Sequence, residues 1–168
     1  MYCNKNIKSL LFDFRSDINY IMWLIISILK SFNCNNKKNS FKDYRKIGFI
    51  VQLIYNDKSL NDFVRFLNQE QLEVDELQKL SACFLDSKVE EKNINSALII
   101  LDKQEIIDFN KTQKRVNIYS KKLGDFSGIE QYKDSLELLL NVRGKLYDID
   151  YDYILKKINM LILEGKNA

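Results

Sequence analysis

NINSALIILDKQEIIDFNKTQKRVNIYSKKLG, residues 93–124, changes its apolar period partway along. Ile94, Ala97, Leu98 and Leu101 in its first third recur at i, i+3, i+4 and i+7, the spacing of one apolar helical stripe. The pattern then shortens. EIIDF (105–109) and RVNIYS (115–120) read as extended runs, with Val116 and Ile118 alternating with Asn117 and Tyr119. NKTQK (110–114) between them is polar and basic, as a hairpin loop would be. A helix therefore runs into a two-stranded hairpin with a basic tip.

Working outward, VDELQKLSACFL (74–85) aligns Leu77, Leu80 and Phe84 on one helical face. Cys83 beside them reads as a small core residue. A short helical turn is expected around 87–91. Helix, short helix, helix, strand, loop, strand is the order of a winged helix, so 72–124 is expected to be a winged-helix core.

Upstream, INYIMWLIISIL (18–29) is apolar nearly all round. Ser16 is the expected N-cap of a helix ending near Ser31, with Asp17 suited to the dipole. Ile18, Ile21, Met22, Ile25 and Leu29 form one face of it. Tyr20, Trp23, Leu24, Ile26 and Ile28 occupy most of the other, and such a helix must be covered on all sides. Two readings stand: a central core helix, or a helix whose second face (Tyr20, Trp23, Leu24, Ile26, Ile28) meets a partner.

Four serines precede an acid by three residues: Ser40/Asp43, Ser59/Asp62, Ser87/Glu90 and Ser127/Glu130. In a capping box the serine oxygen accepts the N3 amide while the N3 side chain returns to the cap amide. Helices are accordingly expected to start after each, the first covering FKDYRKIGFIVQLIYND. After Gly124 and Gly128, Ile129, Tyr132, Leu136, Leu139 and Leu140 line up. Tyr151, Ile154, Leu155, Ile158, Leu161 and Ile162 line up again beyond a link from Gly144 to Asp150. That predicts a C-terminal helical hairpin over 125–168. The fold class expected is mostly α (α+β): N-terminal buried helices (1–71), the winged-helix unit with its small β-hairpin (72–124) and the helical hairpin, in one domain spanning 1–168.

Composition narrows the function. There is no histidine, which removes the usual general base, metal ligand and nucleophilic triad. Cys3, Cys34 and Cys83 are widely separated and form no CxxC, so neither a zinc site nor a disulfide framework is expected. Phosphate-cradling glycine loops are missing. Asp148, Asp150 and Asp152 resemble the start of a calcium loop, but Tyr153 and Asn159 stand where glycine and glutamate belong. They read as helix N-terminal acids instead. The expectation is a non-enzyme without cofactor or metal. Residues 18–29 are too short for a membrane span, which needs roughly 20 apolar residues. With Asp13 and Asp17 preceding them and no small-residue cleavage site following, they do not read as a signal peptide either. A cytoplasmic protein with reduced thiols is expected.

The charge pattern bears on binding. Lys111, Lys114 and Arg115 at the hairpin tip, with Lys121 and Lys122 after it, are candidate contacts to a double-stranded DNA backbone. Lys37 and Lys38, in the loop 32–40, are further candidates. From Asp86 to Glu105, however, Asp86, Glu90, Glu91, Asp102 and Glu105 outnumber Lys88, Lys92 and Lys103, with no arginine. That excess repels phosphate and lacks the fork that reads guanine, so base reading by the helix before the hairpin is not expected.

FDFRSDINYIMWLI, DYRKIGFIVQLIYND, IIDFNKTQKRVNIYSKKLGDF and the helical tail occur in an order that resembles one group. This group is the small middle components of bacterial three-component ABC-ATPase systems, among them the Lamassu-type anti-phage and anti-plasmid systems. The resemblance covers roughly Asp13 to Ile158. It implies a winged-helix accessory subunit that binds an SMC- or Rad50-like ATPase and helps couple foreign-DNA sensing to an effector nuclease. No family residue role is carried over. Two alternatives share the pattern: a stand-alone winged-helix DNA-binding regulator, and a small adaptor or inhibitor of phage origin.

Overall fold

The computed structural model describes residues 17–122 and 130–166. Among the described residues the first helix, α1 (Ile18–Ser31), is capped by Asp17, whose carboxylate accepts the Asn19 amide at 2.9 Å. The residue just before the apolar segment thus caps the helix, satisfying one of its orphan amides. Cys3, Asp13, Ser16, Gly124, Ser127, Gly128 and Ile129, all singled out in the sequence, lie outside the described residues.

Seven helices follow among the described residues: α2 (Lys46–Ile54), α3 (Asp57–Leu67), α4 (Val74–Val89), α5 (Glu91–Lys103), α6 (Lys133–Asn141), α7 (Arg143–Asp148) and α8 (Tyr151–Lys166). Strands β1 (Ile107–Lys111) and β2 (Val116–Ser120) pair antiparallel between α5 and α6, with Phe109 opposite Ile118 and Lys111 opposite Val116. The fold is mostly helical, with one small hairpin and a C-terminal helical hairpin, as the sequence predicts.

Apolar periodicity translates directly into the core. Ile94, Ala97, Leu98 and Leu101 are buried as α5 packs on α1. Leu77, Leu80 and Phe84 of α4 are buried where that helix meets α2, α3 and α8. Phe49 stands edge-on to both Phe63 and Phe84, tying α2, α3 and α4 together. One cluster of buried residues runs from Ile21 to Ile158, crossing all three sections expected from the sequence.

The helix starts need correction. Phe41 is not helical: it exchanges both backbone hydrogen bonds with Ile118, so α2 begins only at Lys46. Ser59 lies inside α3, whose cap is Asn56, its side chain accepting the Ser59 amide at 3.1 Å. Ser87 lies within α4 and donates its hydroxyl to the Phe84 carbonyl at 2.6 Å, so the helix continues through it. The returning half of a capping box occurs where no serine marks it: the Glu76 carboxylate accepts the Glu73 amide at 2.9 Å. The link 144–150 is also largely helical, forming α7.

Three helices end on left-handed residues without glycine. Asn33, Gln69 and Glu105 have φ of 52°, 62° and 55°. In each case the following amide (Cys34, Glu70, Ile106) reaches back to the carbonyl of Leu29, Arg65 or Leu101, at 2.8, 3.0 and 3.0 Å. These are Schellman closures, in which a non-glycine residue accepts the strain of the left-handed region.

Among the described residues, no helix is long and apolar enough to cross a membrane.

Candidate nucleic-acid interface

The hairpin does not stand alone at the end of α5. Residues 34–44 run along the free edge of β2: the Ser120 amide bonds Cys34, Ile118 and Phe41 bond reciprocally, and the Tyr44 amide bonds Val116. The loop 35–39 then folds back over the hairpin, where the Asn110 side chain donates to the Lys37 carbonyl at 3.4 Å. Asn36 holds the loop by accepting the Lys38 and Asn39 amides, both at 2.9 Å. The wing is therefore built from two segments more than 60 positions apart in sequence, such as Phe41 and Ile118.

This pairing brings together basic residues that the sequence keeps apart. Lys111 and Lys114 flank the tip, where the Thr112 amide bonds the Arg115 carbonyl at 2.8 Å. Lys37 and Lys38 arrive on the folded-back loop, and Lys42 follows on the strand-like edge. All five are exposed. Among the described residues, none of them pairs with a carboxylate.

The other expected contacts divide differently. Lys121 is paired with Asp108 at 3.1 Å, and the Tyr119 hydroxyl donates to the same carboxylate at 3.1 Å. Those bonds, with Lys121 foremost, hold the Asp108 carboxyl below its ordinary pKa. Lys122 is exposed. Arg115 is half-buried and turned into the protein, donating to the Tyr147 carbonyl and to the Asp150 carboxylate. Its guanidinium therefore meets intramolecular acceptors rather than solvent.

Arg115 belongs to a larger charged cluster that the sequence does not announce. Arg45 donates to both oxygens of Asp43, at 2.9 Å each, and to both of Asp152, at 3.1 and 2.9 Å. Asp43 is buried at a φ of 64°, its amide bonded to the Asn117 side chain at 3.1 Å. Lys46 beside them is fully buried, with Nζ donating to the Leu146 carbonyl at 2.7 Å. Burial, then the nearby Arg115 charge, push its ammonium pKa down to about 8. Lys46 and Arg115 together satisfy carbonyls at the end of α7, fastening the C-terminal hairpin to α2 and the wing. Arg45, Lys114, Arg115, Asp150, Asp152 and Tyr153 line an open cleft of about 540 Å³. One signal in the sequence points this way: arginine is scarce beside lysine here, and its planar fork suits paired carboxylates.

Of the three acids expected at a helix N-terminus, Asp152 is in the first turn of α8 and Asp150 just precedes that helix, whereas Asp148 is the last residue of α7, at the end where the dipole does not favour an acid. The contacts of Asp150 to Arg115 and of Asp152 to Arg45 are additional.

The expected partner face on α1 needs correction. Leu24 and Ile28 are 0% exposed and Ile26 is 3% exposed, so these three are core residues, enclosed by helices from later in the chain. Tyr20 is half-buried, its hydroxyl 2.7 Å from that of Tyr132. Trp23 alone of the five is exposed, at 42%. Larger apolar exposure lies elsewhere, at Leu85 and Val89 of α4 and at Met160 and Leu163 of α8.

No protein-family model, no curated protein and no solved structure matches this chain.

Proposed function

We propose that the chain is a non-catalytic accessory subunit that binds an SMC- or Rad50-like ATPase and touches the backbone of duplex DNA through its wing. In this reading it helps couple foreign-DNA sensing to an effector nuclease. The observation that carries the DNA contact is the exposed lysine edge, Lys37, Lys38, Lys42, Lys111 and Lys114, assembled from two distant segments. Lysine without a carboxylate partner suits phosphate, whose contacts position a protein without reading sequence. The α5 helix suits that limit, because it carries no arginine, its exposed Glu91 and Asp102 offset its exposed Lys92 and Lys103, and its apolar stripe is committed to α1. Support for a protein partner comes from the exposed apolar side chains Leu85 and Val89 at the end of α4 and Met160 and Leu163 on α8.

Binding of a fluorescent mixed-sequence duplex over a range of salt tests the DNA contact. Affinity is expected to fall steeply with salt. Alanine at Lys37, Lys38, Lys111 and Lys114 together should flatten the slope by about 3 to 4, at about 0.9 per lost phosphate contact. A slope unchanged by the four substitutions removes the lysine edge from the reading. Co-expression with an ATPase encoded beside the gene tests the other half. A chain that purifies as a monomer away from that ATPase, yet binds duplex, would favour the stand-alone regulator.

A further inference from the structure

Two carboxylates sit where the DNA backbone would otherwise find its strongest donors. Arg115 lies at the foot of the wing, directly after Lys114, and Arg45 lines the same cleft. A phosphate running past Lys111 and Lys114 into that cleft would meet two guanidinium groups. Asp150 already occupies the one and Asp152 the other. The arginine side chains are 22% and 36% exposed, but the aspartates that cover them are 69% and 76% exposed. The arginines are thus positioned by the protein, while the acids over them stand largely in water. Exposed ion pairs of this kind contribute little to stability, which leaves another use for them open.

We propose that Asp150 and Asp152 act as intramolecular stand-ins for phosphate, holding the wing's arginines in check and weakening DNA contact. The inference rests on the lysine-edge reading and concerns the regulation of that same surface. Arg115 keeps a second acceptor, the Tyr147 carbonyl at 2.6 Å, and Arg45 keeps the buried Asp43. Either guanidinium therefore stays anchored when its exposed aspartate is displaced or removed. The device would set a threshold: weak encounters meet a self-neutralised cleft, whereas DNA held by a partner can compete the acids away.

The experiment compares duplex binding by the full chain as wild type, D150N/D152N, R115A/D150N/D152N and D57N/D75N. Asp57 and Asp75 are exposed carboxylates on α3 and α4, outside the cleft, and control for net charge. Freeing the arginines should tighten binding by about fivefold or more near 0.1 M salt and steepen the salt slope by about 1 to 2. Adding R115A should remove the share of the gain that Arg115 supplies, leaving no more than D152N gives alone through Arg45, and D57N/D75N should show little of it. The single D152N variant, which leaves Arg115 paired, should give a smaller gain in the same direction. Equal tightening by D57N/D75N, or the full D150N/D152N gain surviving R115A, would overturn the proposal. So would unchanged binding by D150N/D152N while the lysine substitutions still weaken it, and that result leaves the lysine edge standing. Binding by none of the forms overturns both.

Discussion

Replacing Lys46 by methionine should make the folding stability of this protein lose a defined part of its pH dependence. Lys46 is fully buried, and its pKa is pushed from 10.5 down to about 8, chiefly by desolvation and then by Arg115. Between those values the unfolded chain keeps a proton that the folded chain has shed. The unfolded state then binds more protons, so this group makes stability rise with pH across the window. The full effect is about 3 kcal/mol, since each tenfold loss of proton affinity corresponds to about 1.4 kcal/mol. Other groups oppose it in the upper part of the window. Burial raises the thiols of Cys34 and Cys83, the latter to about 12, so from about pH 9 the unfolded thiols ionise first and stability falls. Tyr20 and Tyr147, also raised by burial, act in the same direction at higher pH. Wild-type stability alone would thus mix these contributions. The informative quantity is the difference between wild type and Lys46→Met, in which the cysteine and tyrosine contributions cancel. It should shift in favour of wild type by about 1 kcal/mol between about pH 7.5 and about pH 9. Urea unfolding followed by circular dichroism at several pH values measures it. Parallel curves for the two proteins over that range would refute the argument.

Other outcomes follow from the same geometry. Gln69→Gly should stabilise the protein by about 0.5–1 kcal/mol, because Gln69 is exposed at a φ of 62° and glycine relieves the left-handed strain; a lowered urea midpoint would contradict this. Leu24→Ala should cost the isolated chain about 2–5 kcal/mol, since Leu24 is 0% exposed. A stability change near zero would return Leu24 to the partner face. Asn56→Ala removes the cap of α3 and should cost about 1 kcal/mol, read from the denaturation midpoint.

How the lysines come to share an edge explains why part of the candidate site is legible in the sequence and part is not. Lys111, Lys114 and Arg115 stand out as a basic tip, because a polar run between two alternating apolar runs has few other conformations. That Arg115 turns inward has no local signature: its acceptors, Tyr147 and Asp150, lie more than 30 positions later. The same holds for residues 40–45. Locally, serine, a later acid and an apolar period argue for helix, yet Phe41 gains two backbone hydrogen bonds and a buried ring beside Ile118 by leaving it. A non-local strand partner outweighs a local helix signal.

Helices, hairpin and most of the buried stripes can be read from the order of residues alone. Those follow from the period of apolar residues, and the hydrophobic effect acts on that period wherever a neighbour can be found. Which neighbour is found was decided only by tertiary structure. Ile26 and Ile28 look surplus on α1 because one helix cannot show that α5, α6 and β2 will close around it. The clustering of Arg45, Lys46 and Arg115 with Asp43, Asp150 and Asp152 was decided in the same way. Electrostatic pairing depends on distances through space, and a linear chain does not carry them.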